Sequence, residues 1–70
     1  MRVYSDFTQK YYEKEEAVPV KIVKQAGLYI KYGVRPVDLF WDDDENCLVF
    51  MFSKKETKDL FQMWKSYCLE

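Results

Sequence analysis

Four consecutive carboxylates, Asp42, Asp43, Asp44 and Glu45, form the densest group of chemically capable side chains in the sequence. Oxygen donors at that density suit a hard cation. A calcium loop of the EF-hand type alternates its ligands, carries a central glycine and ends on a distal glutamate, and none of these is present. The run therefore reads as a solvated hairpin turn, with a second use left open as an acidic mimic of phosphates, offered to the basic groove of a nucleic-acid-binding enzyme. The opposite charge is grouped at Lys21, Lys24 and Lys31, a helical row that would reach a phosphate backbone with Tyr32 as a stacking platform. A solvated helix face is the ordinary meaning of such a row, and the neighbouring acidic turn opposes polyanion binding.

Catalytic patterns are missing. The chain has no histidine, the side chain that most readily moves protons near neutral pH. Cys47 and Cys68 lack the Cys-His or C-x-x-C context that activates a thiol, and there is no glycine-rich phosphate loop. The expectation is a non-enzymatic protein with no catalytic residues, no cofactor and no metal. The two cysteines fit a reducing compartment as small buried hydrophobes, with a Cys47–Cys68 disulfide as the alternative.

Seventy residues suffice for a single domain, 1–70, that buries only about 60% of its unfolded surface. The chain is 49% hydrophobic and 33% charged, which excludes a disordered composition. A net charge of −1 supplies no global attraction to nucleic acid or anionic membrane, so nucleic acid is not the expected partner. The longest apolar run, Cys47 to Phe52, falls far short of the roughly 20 residues of a membrane span, and a cytoplasmic location is expected. Aromatic residues make 19% of the chain, more than a core this small encloses.

The elements that must position these groups follow from periodicity. Val37–Trp41 and Cys47–Phe52 flank the acidic turn as a β-hairpin around which the rest packs. Val20 to Tyr32 has helical spacing, with Pro19 to open it, a face of Ile22, Val23, Ala26, Tyr29 and Ile30, and Gly33 then Pro36 to close it. Ser53 and Glu56 form a capping box for a last helix that runs to about Cys68, with Thr57, Leu60, Phe61, Trp64, Tyr67 and Cys68 on its inner face. Residues 5–16 suggest a further helix capped by Ser5 with Phe7 and Tyr11 on one face, while residues 2–4 could instead form a short strand. Leu69 and Glu70 have the character of a cloning scar on which nothing should rest. The expected fold is α+β in the order α-α-β-β-α, with the helices on one face of a short antiparallel sheet. Residues 19–68 would be its core and residues 1–18 an N-terminal extension. Because Cys47–Phe52 is apolar on both faces, the second face needs a cover: the N-terminal segment, a second copy or another partner.

From Ile22 to Tyr67 the order of features resembles short uncharacterised proteins of phages and prophages of Gram-positive bacteria. The resemblance is carried by a helix ending IKYG at Ile30–Gly33, a charged turn, the VFMF strand at Val49–Phe52, and an amphipathic helix with Trp64 and Tyr67 near its end. It implies a mobile-element accessory role and brings no catalytic residues. Excess aromatic surface points to a protein-binding module, an inhibitor or adaptor of a host protein, with Tyr11, Tyr12, Tyr32, Leu48, Phe50 and Phe52 as candidate partner contacts and a homodimer among the options. A small nucleic-acid-binding regulator using Lys21, Lys24 and Lys31 is the alternative.

Overall fold

A computed structural model describes residues 1–69. In chain order the elements are β1 (Arg2–Ser5), β2 (Lys10–Glu13), a 3₁₀ turn at Lys14–Glu16, β3 (Ala17–Val20), α1 (Val23–Lys31), β4 (Asp38–Asp42), β5 (Cys47–Ser53) and α2 (Lys54–Lys65). Two antiparallel sheets result, a β1–β2 ribbon and a three-stranded sheet in the order β3-β5-β4. The α+β class and the central hairpin are as expected from the sequence. The α-α-β-β-α order is not, because the chain begins with three strands.

The expected first helix is a hairpin. Val3, Ser5 and Tyr12 fall on one side of the paired strands, and Tyr4 and Tyr11 on the other, so strand alternation sorts these residues into an inward and an outward set. Gln9 takes φ 59° to close the turn, and its N–H donates to the Ser5 carbonyl at 2.7 Å. The crowded Glu13, Glu15 and Glu16 would sit at the negative end of a helix dipole. Pro19 also moves, from the expected first turn of a helix into β3. An edge strand tolerates a residue with no N–H, and Val18 and Val20 on either side favour extended backbone. β3, not β1, thus becomes the third strand of the main sheet.

Both helices end in the same 6→1 and 5→2 hydrogen-bond pattern. At α1 the Val34 N–H reaches the Tyr29 carbonyl at 3.1 Å and Gly33 reaches Ile30 at 3.0 Å, with Gly33 at φ 94° as its expected cap position requires. At α2 the donors are Cys68 to Met63 at 2.8 Å and Tyr67 to Trp64 at 3.1 Å, with Tyr67 at φ 59°. The last helix therefore stops at Lys65 rather than near Cys68, and Tyr67 stands 93% exposed instead of on the inner face. Ser53 caps it as expected, its Oγ accepting the Glu56 N–H at 3.4 Å.

Register assigns the two faces of the main sheet. Val18, Val20, Phe50 and Phe52 share the face covered by the helices, where Tyr29 and Phe52 meet edge to face at 5.2 Å. Ala17, Val49 and Met51 lie on the other, buried with half-buried Tyr12 and Val37. The N-terminal hairpin is thus the cover of the second face. Leu69 is 4% exposed within the helix-side cluster, so it is part of the core and not an appendage; Glu70 lies outside the described residues. The inner face of α1 is Gln25, Ala26 and Tyr29 with Leu28 beside it, and Ile22, Val23 and Ile30 are exposed, contrary to the periodicity reading. Both cysteines are free, Cys47 half-buried and Cys68 exposed, so only Cys47 approaches the expected core role.

Candidate functional site

Between β3, the first turns of α1 and the first half of α2 lies an open trough of about 780 Å³. Val18 and Val20 form its floor from the sheet side, and Tyr29 contributes its edge from α1. Ile22 and Phe61, both about half exposed, are the apolar groups on its walls. Tyr29 is held in place by its hydroxyl, which accepts the Gln25 Nε2–H at 2.8 Å inside the protein. The floor is therefore set by core packing, while the walls belong to side chains for which the core has no further use.

The rim is basic. Lys21, Lys54, Lys55 and Lys58 line the trough, and among the described residues no aspartate or glutamate does. Lys54 and Lys55 follow the Ser53 cap directly and occupy the first two positions of α2. Cations there face the positive end of the helix dipole, which costs about 0.3–1 kcal/mol each. Folding alone would favour acids at both positions. Lys21 is the one rim lysine with an ion pair among the described residues, to Glu45 of the acidic turn, and that hydrogen bond raises its pKa.

A second polar constellation lies on the opposite side of the sheet. Asp38, 7% exposed, accepts Ser5 Oγ–H at 2.7 Å on one carboxylate oxygen and the Tyr12 hydroxyl at 2.8 Å on the other, and its Oδ1 also accepts the Leu39 N–H at 2.8 Å. Partial burial, then the Asp38 hydrogen bond and charge, push the Tyr12 phenol up to about 12. Ser5 is fully buried, and its Oγ accepts the Thr8 N–H at 3.1 Å. With both carboxylate oxygens occupied and the serine sealed, the cluster clips the N-terminal hairpin to β4 and presents no reactive group to solvent.

No protein-family model, curated protein or solved structure matches this chain.

The candidate contact residues scatter. Tyr11 is exposed on the outer face of the N-terminal hairpin, edge to face with Tyr4 at 5.1 Å and under the Arg2 guanidinium at 4.7 Å. Tyr12 is turned inward on Asp38. Tyr32 is half exposed at the end of α1, with the Lys31 ammonium 5.7 Å from its ring centre. Leu48 is exposed opposite Trp41 at the far end of the sheet, Phe50 is half-buried, and Phe52 is 0% exposed. Phe52 cannot touch a partner, because α1 and α2 already cover its face. Of the lysine row, Lys21 alone joins the trough, while Lys24 and Lys31 stay on the exposed side of α1.

The acidic turn is organised by Asp42. Its Oδ1 accepts the Asp44 N–H at 2.9 Å and the Glu45 N–H at 3.3 Å, an Asx-type turn completed by Asn46 at φ 53°. Among the described residues no group of histidine, cysteine or carboxylate side chains is arranged to hold a metal ion, and no helix is long and apolar enough to cross a membrane. Ile22, Phe61, Lys54, Lys55 and Lys58 were missed as site residues from the sequence. One signal was available there: two lysines directly after a serine cap, where helix electrostatics asks for acids.

Proposed function

We propose that this protein is a non-enzymatic protein-binding module, an inhibitor or adaptor, that engages its partner through the lysine-rimmed trough between β3, α1 and α2. The observation that carries the reading is an open apolar concavity of about 780 Å³ walled by exposed Ile22 and Phe61, beside a sheet whose centre, at Met51 and Phe52, is already buried on both faces. Exposed apolar groups gathered in a concave surface with a charged rim are the usual anatomy of a recognition site. The N-terminal aromatics support the reading less, because Tyr4, Tyr11 and Arg2 already satisfy one another on a ribbon surface. Binding is favoured over catalysis because the trough has, among the described residues, no carboxylate or imidazole in its lining, and the Ser5–Asp38–Tyr12 cluster is tied into the fold.

Site-specific photo-crosslinking in the native host tests it. A benzophenone side chain at Phe61 should trap a discrete protein, and the same group at fully projecting Tyr67, outside the trough, should not. Equal crosslinking from both positions, or none from Phe61, would rule out the trough as the binding surface.

A further inference from the structure

We infer that the occupant of the trough is an acidic amphipathic α-helix supplied by a partner protein. The inference rests on the reading of the trough as the binding surface and adds the chemical class of its ligand. Charge is the first ground. In a chain with 11 basic and 12 acidic residues, four lysines and, among the described residues, no carboxylates line this one concavity. Lys54, Lys55 and Lys58 have no ion pair among the described residues. A partner with acids flanking an apolar stripe meets these lysines at the rim, and a basic partner is repelled.

The backbone of β3 supplies the second ground, because it rejects the commonest alternative, an added strand. In an antiparallel pair, successive residues turn their N–H and C=O groups alternately toward and away from the neighbouring strand. Pro19 has no N–H, so it cannot sit in a hydrogen-bonded pair with Met51, its opposite in β5. Val18 and Val20 therefore direct their backbone groups to β5, and Ala17 and Pro19 direct theirs outward. The Met51 carbonyl agrees with this phase, since it accepts the Val37 N–H on the β4 side at 2.7 Å. Of the two outward residues, Pro19 has no donor, and the Ala17 N–H already donates to the Lys14 carbonyl. The outer edge of β3 thus offers an incoming strand no N–H at all. A helix satisfies its own backbone and needs only apolar anchors at i, i+3 or i+4, and i+7. Val18, Ile22 and Phe61 would receive those anchors.

The test is selection of a displayed random peptide library on the full chain, with each enriched peptide measured by fluorescence anisotropy against wild type, the Lys54→Glu/Lys58→Glu variant and Phe61→Asp. Expected are sequences with Leu, Phe or Trp at helical spacing flanked by Asp and Glu, and a loss of about tenfold or more in both variants. Tyr11→Ala and Trp41→Ala should leave affinity unchanged. Alternating or basic consensus sequences, or acidic ones indifferent to the trough variants, overturn the inference. Peptides that bind but are lost only in Tyr11→Ala or Trp41→Ala overturn the trough as site and leave a binding module. No enrichment at all removes both readings. Light scattering on the wild type adds one further outcome: self-association abolished by Phe61→Asp would make a second copy the occupant and refute the foreign helix. The Lys54→Glu change accords with the dipole of α2, and circular dichroism of both variants ensures that a lost interaction is not a lost fold.

Discussion

Replacing Asp38 with Ala should detach the N-terminal hairpin from the main sheet. Asp38 accepts three hydrogen bonds, from Ser5, Tyr12 and the Leu39 backbone, and so joins β1 and β2 to β4. The fully buried Ser5 hydroxyl would lose its acceptor, at a cost of about 1–3 kcal/mol. The Tyr12 hydroxyl and the Leu39 amide would add less, because both are nearer to water. Relief of a buried carboxylate offsets part of this. A net loss of roughly 2–3 kcal/mol is expected, against a stability of about 3–5 kcal/mol for a domain of this size. With an m-value near 1 kcal/mol/M, the urea midpoint should fall by about 2–3 M.

The phenol of Tyr12 gives an independent readout. Its pKa stands near 12 in the fold against an ordinary 10, so its stabilising contribution is complete below pH 10 and is lost as pH rises from 10 through about 12. The displacement corresponds to at most about 2.7 kcal/mol, and solvent screening of this partly exposed ring reduces that by about half. Absorbance titration of the tyrosines should show a late phase carried by Tyr12 in the wild type. In Asp38→Ala that phase should move toward 10 without reaching it, because partial burial, the largest cause of the shift, remains. A midpoint change below about 0.5 M together with an unmoved late phase would refute the proposal that Asp38 clips the hairpin.

Four further substitutions separate folding from recognition. Lys54→Glu and Lys55→Glu should each raise stability by about 0.3–1 kcal/mol, visible as a rise of roughly 2–6 °C in Tm by calorimetry, while weakening partner binding. An unchanged or lower Tm would mean that the α2 dipole does not oppose these lysines. Tyr67→Gly relieves a left-handed backbone at an exposed side chain and should stabilise by about 1 kcal/mol in urea unfolding; a destabilised variant would show that the Tyr67 ring supports the fold. Leu69→Ala should cost about 2 kcal/mol or more by the same assay, and no change would return this residue to the status of an appendage.

The sequence by itself determined the parts whose partners are close in the chain. The β4–β5 hairpin, the Ser53 cap, the glycine stop at Gly33 and the place of the acidic turn between the two strands depend on residues within a few positions of one another, so local pattern sufficed. The apolar character of both faces of Cys47–Phe52 also demanded a second cover, and the N-terminal segment provides it. Only tertiary structure decided what that segment is. Ser5–Tyr12 satisfies both a helical and a strand pattern locally, and the choice falls to strands because Ser5, Tyr12 and Asp38, 33 residues apart at the extremes, complete one another's hydrogen bonds. The site was hidden for the same reason. Ile22 and Phe61 each looked like core residues on their own helices, and they become trough walls only because α1 begins after β3, at Val23, and packs with Gln25, Ala26 and Tyr29 inward. No spacing within either helix contains that information, since it is set by where the two helices meet the edge of the sheet.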